Sequence, residues 1–252
     1  MRYKLTLGYD GTGFCGWQSQ PNGESVQDAL ERAAFKLLGE RVRMVGSGRT
    51  DAGVHALRQV AHFDCVKALP PERITGGLNA YLPSAVRVSD AAVVPNDFDA
   101  RKDVKKKTYM YLMYRGARQP VLENRAWHIG DDIDVGAMSD AVSPIVGTHD
   151  FATFMASGSG AKTSVRTVFD ARFTRDGDFI KFFITADGFL YNMVRIIVAQ
   201  AEKCGKGAHV DFDALLRAKS RDAAKEIAPP YGLYLYDVEY AGERAQAEAE
   251  TK

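Results

Sequence analysis

One pattern constrains this chain more than any other: segments with strand and helix periodicity follow the order β-α-β-β-α-β, and the same order then recurs. YKLTLGYD (3–10) alternates apolar and polar residues as a half-buried strand does. Ser25 opens a helix: SVQD forms a capping box with Asp28 at its third position, and Val26, Leu30, Ala33, Ala34 and Leu37 recur at helical spacing until Gly39. RVRMVGS (41–47) and QVAHFDC (59–65) read as strands, a helix follows Pro70-Pro71-Glu72, and AVRVSDAAVV (85–94) is the last strand of the first set. In the second set, KKTYMYLMYR (106–115) is a strand and 133–146 a helix. The segments 165–175 and 178–186 form a hairpin around Asp176-Gly177, and FLYNMVRIIVAQAEKCG (189–205) is an apolar helix. A short helix follows near 211–219, and YGLYLYDVEY (231–240) is the final strand.

Two such units are ferredoxin-like halves. The expected fold is α+β: two halves, residues 1–100 and 101–240, sharing a broad, mostly antiparallel sheet with helices on one face and a central active-site cleft. The halves share no obvious sequence similarity, so the repeat is architectural. Residues 241–252 lack large apolar side chains and read as a frayed polar tail.

At 46% hydrophobic and 26% charged residues, the composition is that of a soluble globular protein. No apolar run approaches the roughly 20 residues a membrane span needs, and the N-terminus turns polar too soon for a signal peptide. Cys15, Cys65 and Cys204 are odd in number and far apart, which argues against disulfides and zinc. The expected location is the cytoplasm. The net charge of +1 decides nothing about nucleic acid. RKDVKKK (101–107), however, carries five positive charges against one negative, either as a solvated face or as a phosphate contact.

Gly11-Thr12-Gly13-Phe14-Cys15-Gly16 matches GxGxxG after a strand. A dinucleotide fingerprint opens directly into the helix whose N-terminus holds the pyrophosphate. Here WQSQPNGE intervenes and the helix waits until Ser25, so the glycines read as a loop and no nucleotide cofactor is expected.

GSGRTDAGVHA (46–56) places Arg49 and Asp51 on a glycine-rich turn between two strands. Asp51 is either a turn residue, capping its own backbone, or a working carboxylate. FLYNMVRIIVAQA contains one charge, Arg195. A guanidinium in such surroundings either extends to the helix edge or takes an anionic partner, because an unpaired buried charge is costly.

GRTDAGVHA resembles the signature of the pseudouridine synthases that modify the anticodon arm of transfer RNA, the bacterial tRNA pseudouridine synthase A type. The resemblance runs through nearly the whole chain: YDGTGFCGWQ, ESVQDALE, FDARKDVKKKTYMY, THDFATF, FLYNMVRIIV and APPYGLYLYDVEY follow in order. Two departures are Asp99, where relatives commonly have His, and Ala199, in place of a usual Gly.

The resemblance implies an isomerase that breaks the uridine C1′–N1 bond, turns the base and rejoins it through C5, at uridines 38–40 of the anticodon stem-loop. Substrate and product are isomers, so no cofactor is implied. Asp51 takes the place of the family's nucleophile, attacking either C1′ or C6, and Arg195 that of the cation that keeps the carboxylate ionised. Tyr109 is assigned to stack on the flipped uracil and help remove the C5 proton, while Tyr111 reads as core. Arg49 fills the space of the extruded base or holds a neighbouring phosphate, and Lys105 and Lys107 contact the RNA backbone. His55 packs the loop or touches RNA. The implied partners are transfer RNA and a second copy of the chain, with no membrane. The alternative is a non-catalytic RNA-binding protein, a role ferredoxin-like halves also serve.

Overall fold

The computed structural model describes residues 1–242; the expected tail lies, from residue 243 on, outside the described residues. The fold is α+β and mostly antiparallel, and the chain divides into two compact units. Met1–Lys105 and the described residues from Tyr234 on form the first; Lys106–Leu233 form the second. The boundary expected at 100/101 thus falls five residues later, and the final strand leaves the second half for the first.

In the first unit β1 (Arg2–Tyr9) runs antiparallel to both β3 (His55–Asp64) and β4 (Val86–Val94), and β2 (Val45–Gly46) pairs antiparallel with β3. The resulting order β4-β1-β3-β2 is that of a ferredoxin-like sheet. The last strand, β10 (Leu233–Tyr240), pairs parallel with β3. β1 alternates buried and half-buried residues, so Tyr3, Leu5, Leu7 and Tyr9 supply one apolar face. Helix α1 (Val26–Leu38) begins at the expected box: Ser25 Oγ accepts from Asp28 N at 3.0 Å while the Asp28 carboxylate accepts from Ser25 N. It packs on α2 (Pro71–Tyr81), which covers β4.

The strand expected over 41–47 shrinks to Val45–Gly46. Val42 and Met44 alternate inward as a strand would, but the Met44 amide donates to Glu31 Oε1 of α1 at 2.9 Å. A side chain thus takes the hydrogen bond that a neighbouring strand would have supplied.

In the second unit β5 (Val104–Tyr114) pairs antiparallel with β9 (Phe179–Ala186), and β9 with β8 (Val165–Asp176). The two-residue β6 (Trp127–His128) lies parallel to β5, and β7 (Gly147–Asp150) extends the sheet beyond β8. Helix α3 (Val135–Val142) gives way to a 3-10 turn at Ser143–Ile145, where Pro144 lacks the amide hydrogen that α-helix needs. It packs on α4 (Met193–Gly205), which starts four residues later than expected. Its cap, Asn192, is left-handed at φ 60°, so Phe189–Asn192 turn rather than coil. The short α5 (Phe212–Ala218) is as expected. Among the described residues no helix is long and apolar enough to cross a membrane, and no cluster of three metal-ligating side chains occurs.

Candidate active site

Residues 47–54 connect β2 to β3 and carry Arg49 and Asp51. The connection is not a loose loop. Its tip closes where the Val54 amide donates to Asp51 O at 3.1 Å, with Gly53 at φ 77°. Ser47 is tied to β3 by its amide on Val60 O at 2.7 Å and by its hydroxyl on Gln59 Oε1 at 2.6 Å. Gln59 Nε2 donates to Gly48 O at 3.0 Å and reaches Tyr9 Oη at 3.4 Å, which in turn lies 2.8 Å from Thr50 Oγ1. Ser47 and Gln59 are fully buried, Tyr9 and Thr50 nearly so. Burial pushes the Tyr9 hydroxyl up to about 12, against the opposing hydrogen bonds of Thr50 and Gln59, so it stays neutral at ordinary pH.

The glycines that imitate a dinucleotide fingerprint serve this turn. Trp17 N donates to Thr50 O at 3.0 Å. Gly16 sits at φ 106°, and a Cβ there would stand 2.6 Å from the same carbonyl. A Cβ on Gly11 would run into the Val54 carbonyl. On its other side the segment holds the start of α1, through Val26 N on Gly16 O and Gln27 N on Trp17 O, at 3.1 and 3.0 Å. The GTGFCGW backbone is therefore a wedge between the Asp51 turn and α1, and glycine permits that approach.

Within this frame Asp51 is partly exposed and Arg49 is exposed. His55 is buried: Nδ1 accepts the Gly11 amide hydrogen at 3.0 Å and the ring stacks on Tyr234, 4.6 Å between centroids. It is a packing residue of the loop, the first of its two expected readings. Asp99 accepts the amides of Arg101 and Lys102 at 2.9 and 3.1 Å, so its carboxylate shapes the turn that leads into β5. Lys105 is exposed on that strand and Lys107 half-buried.

Three groups of interest belong to the second unit. Tyr109 on β5 is 7% exposed and meets Phe189 edge-on, with centroids 4.9 Å apart. Tyr111 is wholly buried, donates to Pro229 O at 2.7 Å and packs edge-on against Trp127, as a core residue does. Burial holds its hydroxyl well above the ordinary tyrosine range, and the Arg195 charge opposes that rise. Arg195, on the first turn of α4, donates from Nε to Ala228 O at 2.8 Å and from Nη1 to Asn192 Oδ1 at 2.7 Å. The guanidinium is thus aimed by the cap of its own helix and by the 226–228 segment, which Glu226 fastens to α4 through Lys203 Nζ at 2.7 Å and Gln200 Nε2 at 3.1 Å.

The structure adds groups that sequence reading missed: Tyr9, Thr50 and Gln59 beneath the turn, and Gly11, Gly16 and Trp17 beside it. One signal was present. Gln59 stands in register with Ala61 and Phe63 on β3, a polar side chain in the apolar phase of a strand.

A family model described as tRNA pseudouridine synthase matches residues 7–102 and 141–241. The tRNA pseudouridine synthase A of Caldicellulosiruptor bescii is 43% identical over 239 residues, covering 94% of this chain and 98% of the relative. That of Rhodopseudomonas palustris is 45% identical over 243 residues, covering 95% and 99%. That of Acetivibrio thermocellus is 43% identical over 240 residues, covering 94% and 98%. Arg49, Asp51 and Arg195 lie within the two matched stretches, and Lys105, Lys107 and Tyr109 in the segment between them.

Proposed function

The chain belongs to the tRNA pseudouridine synthase family, and from that premise we propose that it isomerises uridine to pseudouridine in the anticodon stem-loop of transfer RNA. The observation that carries the proposal is the near-full-length relationship, which includes a turn offering one carboxylate, Asp51, on a frame of buried hydrogen bonds.

In the reaction Asp51 supplies the nucleophile, at C1′ or at C6 of the uracil ring. The C1′–N1 bond breaks, the base turns, a C1′–C5 bond forms and the bond to Asp51 is released to regenerate the carboxylate. The proton lost from C5 to solvent is matched by one taken up at N1. Atoms and electrons balance within the substrate, so no oxidant, reductant or activated group enters. Arg195 is assigned to keep the carboxylate ionised, since a nearby cation lowers an acid's pKa. The uridine must leave its stack to be reached. Tyr109 is assigned to face the flipped base and take part in removing the C5 proton. Arg49, an exposed cation on the Asp51 turn, suits a neighbouring phosphate or the space the base vacates. Lys105 and Lys107 suit backbone phosphates, which position RNA without reading its sequence. The same proposal includes a homodimer and a cytoplasmic location.

Transfer RNA carrying tritium at uridine C5 tests the reaction. The wild-type protein is expected to release tritium to water, and to leave unlabelled transfer RNA of unchanged mass. Binding without release would support the non-catalytic alternative and overturn the proposal.

A further inference from the structure

Buried polar side chains are uncommon in the face of a sheet, because each hydroxyl or amide taken from water needs a partner. Tyr9 and Gln59 on the strands, with Ser47 and Thr50 on the adjoining turn, are four buried polar groups in one place, and they satisfy one another. With Gln59 Nε2 donating to Gly48 O and Tyr9 Oη, the arrangement that uses every group has the Tyr9 hydroxyl donating to Thr50 Oγ1. The chain of bonds runs from the end of β1, through β3, to both flanks of Arg49: Gly48 on one side and Thr50 on the other. Apolar side chains would fill the same space and hold the sheet together equally well. A polar chain does what they do not: it fixes the direction of the backbone carbonyl and side chain it binds.

We propose that Tyr9, Thr50 and Gln59 are positioning residues for the isomerisation, a buried hydrogen-bond chain that holds the backbone entering Asp51 so that its carboxylate points in the attacking direction. The inference rests on the reading of Asp51 as the nucleophile. Its physical basis is that catalysis by a positioned group is steep in distance: a displacement of about 1 Å can cost on the order of 100-fold in rate. Thr50 is one residue from Asp51, and its hydroxyl is held to 2.8 Å by a ring packed inside the unit. Binding of transfer RNA, by contrast, draws on several exposed cations, of which this chain of bonds borders only Arg49, through its backbone neighbours. The Tyr9 hydroxyl is neutral at working pH, so the positioning is the same across the range in which the enzyme is assayed.

The test is single-turnover tritium release and transfer RNA affinity for Tyr9→Phe, Thr50→Val, Thr50→Ser and Tyr9→Phe/Thr50→Val. Tyr9→Phe and Thr50→Val are each expected to slow the reaction by roughly 10- to 100-fold with affinity changed by less than about twofold. The double variant is expected to be no slower than the worse single one, because both remove the same bond. Thr50→Ser, which keeps the hydroxyl, is expected to recover most of the rate. Rates within about twofold of wild type for Tyr9→Phe and Thr50→Val would overturn the proposal. So would equal rates for Thr50→Ser and Thr50→Val, or losses that multiply in the double variant. Should Tyr9→Phe not fold, the Thr50→Ser and Thr50→Val pair decides alone. Asp51→Asn separates the two claims: if it releases tritium normally, the nucleophile reading itself fails. If it is silent while Tyr9→Phe and Thr50→Val are normal, only the positioning chain fails.

Discussion

A Cβ on Gly16 would stand 2.6 Å from the carbonyl oxygen of Thr50, the residue before Asp51. Gly16 is also left-handed at φ 106°. Gly16→Ala therefore carries both backbone strain and a clash, and should lower unfolding stability by about 2–4 kcal/mol. Gly13, in the same GTGFCG stretch, has nothing within 4 Å of where its Cβ would be. Gly13→Ala should be near neutral. Urea denaturation of the two variants checks this, and a large loss at Gly13 with little at Gly16 would contradict the wedge.

Arg195 bonds to Ala228 O and Asn192 Oδ1, so Arg195→Met should cost about 1–3 kcal/mol in stability, since hydrogen bonds from a charged group are lost. Its catalytic assignment makes a separate prediction. Losing the cation should move the acidic limb of the pH–rate profile to higher pH, while Arg195→Lys, which keeps the charge, should leave the limb closer to its wild-type position. An unmoved limb in Arg195→Met would reduce Arg195 to an anchor of α4.

Much of the first unit is legible locally. The alternation of β1 and the Ser25–Asp28 box state themselves in neighbouring residues. What was hidden depends on distant partners. β10 pairs with β3 across more than 170 residues, a choice no local period encodes. Val42 and Met44 have strand periodicity, yet a glutamate of α1 takes the Met44 amide. Phe189–Asn192 continue an apolar run that looks helical, but Asn192 turns left-handed and binds Arg195. In the sequence, Asp51 and Arg195 stand out as charges in unusual company. Tyr9 does not, because it is one residue of an ordinary alternating strand, and Gln59 shows only as a polar residue in an apolar phase, with no hint of its partners.

Lys203 and Gln200 hold the Glu226 carboxyl down at about 2, against an ordinary value of 4.5. A depressed acid stabilises the fold above its unfolded pKa and loses that contribution as pH falls through the folded one. The side chain is 55% exposed, so the contribution at neutral pH is modest, about 0.5 kcal/mol after solvent screening. Glu226→Gln should be less stable than wild type by that amount at neutral pH. The difference should vanish between pH 4.5 and about 2. A constant difference down to the lower limit would deny the ion pair its part.

Neutralising Lys105, Lys106 and Lys107 together should weaken all transfer RNAs about equally and flatten the log–log dependence of affinity on salt. Each lost phosphate contact removes roughly 0.7–0.9 from that slope. Lys106 Nζ lies 5.0 Å over the Phe169 ring, so its share is expected to be smaller than that of the exposed Lys105. An unchanged slope would make the run a solvated face.

The most direct measurement is tritium release by Asp51→Asn from transfer RNA labelled at uridine C5. The amide keeps the size of the side chain and the turn around it, and removes the nucleophile. The expected result is transfer RNA binding close to wild type with release below about a hundredth of the wild-type rate. Release above that level, from a folded variant, would contradict the assignment of Asp51 as the attacking group.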